Sequence, residues 1–192
     1  MNLKYRITIE GIKGFYRIYV VNSENTLYTF HKQLRADLEF PIDQPILFKA
    51  FAKDGSVAAR YALIDLGSGS VDKVTIGDTV KAGIDRFIYF YDTAARKSVT
   101  VTLEGEYTGK VFTVAGAVLP FIIDTKGPLP IDFENGYVAF EDLPQEQRHL
   151  PGERKQVPGD EDDEDLDDQE DDDDEDGEEE DDGEELVYDG DN

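Results

Sequence analysis

The stretch Arg86-Phe87-Ile88-Tyr89-Phe90-Tyr91, then Asp92-Thr93-Ala94-Ala95-Arg96-Lys97, then Ser98-Val99-Thr100-Val101-Thr102-Leu103-Glu104-Gly105-Glu106-Tyr107, decides the fold. β-Branched and aromatic residues dominate both flanks and a polar joint separates them, so the segment reads as the strongest strand pair in the chain. Toward the N-terminus, Ile46 to Ala52 and Ala59 to Leu66 read as strands around Asp54-Gly55, a hairpin signal. Lys4 to Ile9 and Phe15 to Val21, joined through Glu10-Gly11-Ile12-Lys13-Gly14, predict another hairpin. Between these pairs, Leu27, Phe30, Leu34 and Leu38 recur at spacings of three and four behind the helix-start cluster Asn22-Ser23-Glu24-Asn25-Thr26. That predicts one substantial helix over residues 27 to 39, stopped by Pro41. A short helical turn is expected at Thr75 to Lys81, a strand within Val111 to Val118, and an extended surface run from Pro120 to Pro130. Serial hairpins with a single long helix predict an α+β domain built on a twisted, mainly antiparallel sheet.

Charge divides the chain as sharply as pattern does. Of 192 residues with a formal charge of −25, those from Asp160 onward hold 24 of the 44 acidic side chains and none of the 19 Lys and Arg. Residues 1 to 159 are left with 20 acids against 19 bases, a neutral body. The tail, residues 159 to 192, has too few apolar side chains to offset its ordering entropy and is expected to be disordered, with residues 136 to 158 a loosely ordered transition. The absence of cysteine excludes disulfides, thiolate metal sites and a cysteine nucleophile. The N-terminus alternates like a strand and no stretch approaches the roughly 18 apolar residues of a membrane span, so a cytoplasmic protein without a membrane partner is expected. A strongly negative chain repels phosphates, which points to basic proteins as partners and away from direct nucleic-acid binding.

Three segments carry a family resemblance. Tyr5-Arg6-Ile7-Thr8-Ile9-Glu10-Gly11-Ile12-Lys13 with Tyr16-Arg17-Ile18-Tyr19-Val20, then Thr26-Leu27-Tyr28-Thr29-Phe30-His31, then Ile76-Gly77-Asp78 with Asp85-Arg86-Phe87-Ile88-Tyr89-Phe90-Tyr91-Asp92, stand in an order that resembles the plasmid pRiA4b ORF-three-like family, also labelled IS-element passenger or TnpR-associated. The resemblance covers roughly residues 3 to 135, and it places the domain boundary near residue 135. It implies the α+β fold and a loose association with mobile elements or nucleic-acid transactions. The family's Trp- and His-bearing polar stretches have no counterpart here, and the chain contains no Trp.

Chemistry-bearing patterns are sparse. His31 and His149 are the only histidines, and a His-based acid–base or metal site needs further partners. No Gly-x-Ser-x-Gly elbow is present, and Gly67-Ser68-Gly69-Ser70 lacks the Lys of a phosphate-binding loop, so it reads as a plain loop. Glu104 and Glu106 share a strand face by alternation but flank Gly105 in a solvent-facing pattern. Asp172, Asp174, Asp176 and Gly177 begin like a calcium loop, yet its twelfth position is Gly183 instead of Glu. No catalytic residue, metal or cofactor is therefore expected. The acidic Asp172, Asp174 and Asp176, with Leu186-Val187-Tyr188 as an apolar anchor, are the candidate partner-binding residues of the tail. In the body, His31, Arg86, Arg96 and Lys97 form the candidate site. The expected function is a non-catalytic interaction protein whose polyanionic tail engages a basic partner, such as a nucleic-acid-binding protein. The alternative is a nucleic-acid-binding or enzymatic body with the tail as autoinhibitor or solubility device, a reading that exposure of Phe87, Tyr89 and Tyr91 as stacking rings beside Arg96 and Lys97 would favour and their burial would weaken.

Overall fold

In a computed structural model, the folded body lies within Met1–Pro151. The structure describes residues 1 to 148 other than 112 and 115. His149 and the tail positions Asp172, Asp174, Asp176, Leu186, Val187 and Tyr188 lie outside the described residues.

Alternation builds the sheet. Leu3, Tyr5 and Ile7 are the buried positions of β1 (Asn2–Thr8), and the same period runs through Phe48 and Ala50 of β3 (Leu47–Ala52) and Phe87, Tyr89 and Tyr91 of β5 (Ile84–Asp92). Val99 and Val101 continue it in β6 (Lys97–Glu106). β2 (Tyr16–Asn22) and β4 (Val57–Tyr61) each pair antiparallel with their hairpin partners β1 and β3, as Gly11-Ile12-Lys13-Gly14 and Asp54-Gly55 predict. A two-stranded ribbon, β7 (Thr113–Val114) and β8 (Ala117–Val118), precedes β9 (Phe121–Lys126). The seven-stranded sheet has the order β4-β3-β5-β6-β1-β2-β9, every pair antiparallel.

The helix α1 (Leu27–Leu38) lays Leu27, Phe30, His31, Leu34 and Leu38 on the sheet, with the Phe30 ring against Tyr5 and Tyr19. Thr26 caps it by accepting the Thr29 amide at 3.1 Å, and Glu39 ends it in the left-handed region, φ 53°. α2 (Ile76–Lys81) starts with a reciprocal capping box between Thr75 and Asp78. The two helix starts are stitched together, because Leu27 N–H donates to Val74 O and Ile76 N–H to Asn25 O. Among the described residues no helix is long and apolar enough to cross a membrane.

Three expectations are corrected. The run from Pro120 to Pro130 does not merely cross the surface: Phe121–Lys126 joins the sheet against β2. Arg17, buried, fastens it by donating to the carbonyls of Lys126 (2.6 Å), Gly127 (3.0 Å) and Pro128 (2.8 Å). β4 stops at Tyr61, and Leu63, Ile64 and Leu66 beyond it are exposed loop residues. Residues 130 to 147 carry the short helix α3 (Pro130–Glu134) and two 3-10 turns, Phe140–Asp142 and Gln145–Gln147. Finally, Glu104 and Glu106 do not share a face. A bulge shifts the β1–β6 register between Lys4 and Tyr5, so Glu104 meets Lys4 and Arg6 while Glu106 lies opposite Leu3.

Candidate functional site

The four body residues singled out by sequence do not meet. His31 points into the core, 4 % exposed, and its Nδ1 lies 2.9 Å from the Tyr89 hydroxyl. Arg35 Nε–H donates to that same hydroxyl at 3.3 Å. Burial first, then the Arg35 and Lys32 charges, push His31 down from 6.5 to about 4. The ring is neutral near pH 7, and its Nδ1 is already engaged with the Tyr89 hydroxyl.

Lys97 and Arg96 sit at the β5–β6 turn, where Arg96 adopts φ 58°. Lys97 Nζ is 2.5 Å from Glu134, and the Tyr91 hydroxyl donates to the other oxygen of that carboxylate at 2.9 Å. These side chains border a cavity of about 110 Å³ whose floor is the Phe40–Tyr91 stack, centroids 4.1 Å apart. Within it, Glu134 satisfies both Lys97 and Tyr91. Arg86 belongs elsewhere: it is opposite Thr102 on β6, five residues or roughly 17 Å along the strand from Lys97. Phe87, Tyr89 and Tyr91 are 1 %, 0 % and 8 % exposed, packed among Phe48, Phe40 and His31, so they form core and offer no stacking surface.

The Gly67-Ser68-Gly69-Ser70 loop is filled by its own neighbour. Asp65 accepts the Gly67 and Gly69 amides at 2.7 and 2.8 Å, and those bonds hold its carboxyl below the usual range.

The sheet face turned away from α1 has a different character. Two cross-strand rows run over it by register: Arg60–Lys49–Ile88–Thr100–Thr8 and Phe51–Arg86–Thr102–Arg6–Ile18–Asp124, the second ending on a carboxylate that accepts the Tyr16 hydroxyl at 3.0 Å. Lys4, on the same face of β1 as Arg6, adds a further cation. Glu104 is shared by Lys4, at 3.3 Å, and Arg6. Lys49, Arg60 and Arg86 have no carboxylate partner among the described residues. Two guanidiniums lie on rings: Arg86 Cζ is 4.9 Å from the Phe51 centroid and Arg6 Cζ 4.7 Å from Tyr16. Lys49 Nζ adds a second cation 5.1 Å from Phe51. Sequence reasoning found Arg86 but not Lys49, Arg60, Lys4 or Arg6. The available signal was that each alternates out of phase with the buried residues of its strand.

Among the described residues, no group of three or more His, Asp or Glu is placed to hold a metal ion. No protein-family model matches the chain, and no curated protein matches it. Among solved structures, the chain is similar to the crystal structure of MM3350, a protein of unknown function from Methanosarcina mazei Go1. The match has a TM-score of 0.51 at 18 % identity and covers 65 % of this chain and 68 % of that one, a likeness of fold alone.

Proposed function

We propose that the protein is a non-catalytic interaction protein of the cytoplasm whose polyacidic C-terminal segment engages a basic protein. One observation carries this reading: 24 of the 33 residues from Asp160 to Asn192 are acidic and none is basic. Such a linear charge density competes with nucleic acid for Lys- and Arg-rich surfaces, since both release condensed counterions on neutralisation. Charge accelerates the encounter, and Leu186-Val187-Tyr188 supplies an apolar contact that fixes register. Engagement of the basic protein is assigned to the acidic segment and not to His31 or Lys97 of the body, the first buried against Tyr89 and the second paired to Glu134. We include in the proposal a diverged membership of the plasmid pRiA4b ORF-three-like family, because the residues that carry the resemblance lie in β1, β2, α1, α2 and β5, the frame of the domain.

The test is a pull-down from cytoplasmic extract with the full chain and with residues 1 to 159, eluted across a salt gradient. A basic protein retained by the full chain alone and released at modest salt is the expected result. Retention of the same proteins by both forms overturns the reading and moves the function into the body.

A further inference from the structure

We propose that the open sheet face centred on Arg86, Lys49 and Arg6 binds single-stranded nucleic acid, with the guanidiniums of Arg86 and Arg6 as base-stacking planes and Lys49, Arg60 and Lys4 as phosphate-binding groups. The body is neutral overall, so net charge argues against such a site. Lys49, Arg60 and Arg86 nevertheless stand together on this face without an ion-pair partner among the described residues, and a ligand meets the local field.

The arrangement is one that folding alone disfavours. Lys49 and Arg60 are direct cross-strand partners, and like charges placed directly opposite destabilise a sheet. Arg86 crowds the same spot from the other side, since both it and Lys49 lie within about 5 Å of the Phe51 ring. No carboxylate among the described residues relieves the three. An anion from outside the fold is the missing partner.

The shape of the cluster selects the kind of anion. An open sheet face with no protruding element reaches only the phosphates of a duplex, whose grooves admit a helix or ribbon. Single strands instead splay their bases onto aromatic rings and onto guanidinium planes, and here each Arg is already seated on a ring. Arg86 and Arg6 occupy one register row, two strand spacings or about 10 Å apart, with Thr102 between them to donate to a phosphate or sugar oxygen. An acidic peptide satisfies the charges but leaves the stacking planes unused.

Fluorescence anisotropy of the full chain at low salt with a short labelled oligothymidylate tests this. Saturable binding is expected, weakened several-fold for an abasic strand of equal length. Lys49→Gln with Arg86→Gln is expected to weaken binding about tenfold and to reduce the slope of log affinity against log salt by about 0.7, for the one phosphate that Lys49 neutralises. Lys81→Gln, on an exposed residue of α2, serves as the control and leaves binding unchanged. The proposal is overturned by any of three results: no saturable binding, equal binding of the abasic strand or equal displacement by polyglutamate, or an unaltered affinity in a double variant whose circular dichroism and melting match the parent.

Discussion

A neutral imidazole locked in the core makes His31 a pH-dependent part of the fold. Its folded pKa, about 4, lies below the 6.5 of the unfolded chain. As pH falls through 6.5 the unfolded state takes a proton that the native state refuses until about 4, so stability present above that window is lost within it. The loss approaches 1.4 kcal/mol per pH unit at most, and a fall of about 1 to 2 kcal/mol between roughly pH 7 and 5 is expected in urea unfolding. Asp54, Asp65, Asp78 and Asp142, held below the ordinary carboxylate range by hydrogen bonds from Ser56, from Gly67 and Gly69, from Thr75, and from Lys13 and Gly14, lose their contributions only at lower pH. His31→Gln should therefore flatten the curve in the upper window and leave the acid limb in place. An unchanged upper slope in that variant would assign the dependence to other groups.

The segment after β9 is fastened at the scale of elements, by a few bonds that reach back across the chain. Asp142 accepts the Lys13 and Gly14 amides at 2.7 and 2.9 Å, and Glu141 pairs with Lys126 at 2.6 Å. Gly14 is required there, since a Cβ on it would lie 2.0 Å from the Ala139 Cβ. Asp142→Ala removes the acceptor for two amides and is expected to destabilise by about 1 to 3 kcal/mol. Hydrogen exchange should quicken at Lys13 and Gly14 while β5 and β6 stay protected; uniform loss of protection would show instead that the segment is integral to the core. These fastenings also bear on what is legible in the sequence. The hairpins, α1 and α2 follow from local pattern and capping residues, and all appear. Phe121–Lys126 reads as a surface run because prolines flank it, yet Pro120 and Pro128 lie outside the strand and cost the ladder nothing. Glu104 is misplaced by the pattern because a bulge is invisible to alternation. The cationic face is illegible for a topological reason: its residues come from β1, β3, β4 and β5, which only the spatial order β4-β3-β5-β6-β1 makes neighbours.

For the whole molecule, charge and core are separable along the chain. Every buried apolar residue among those described lies between Leu3 and Ala139, whereas 24 of the 44 acids lie beyond residue 159. Repulsion among the tail carboxylates acts chiefly between near neighbours in sequence and is screened beyond about 10 Å at 0.1 M salt. Residues 1 to 159 are thus expected to unfold in urea within about 0.5 kcal/mol of the full chain and with the same denaturant slope, because the slope follows the surface exposed on unfolding. A lower midpoint with a smaller slope would mean that the acidic segment contributes to the folded core. Matched curves would mean instead that removing 24 acids alters the charge of the molecule and leaves its fold intact, which is the condition for reading any change in partner retention as an electrostatic effect of the tail.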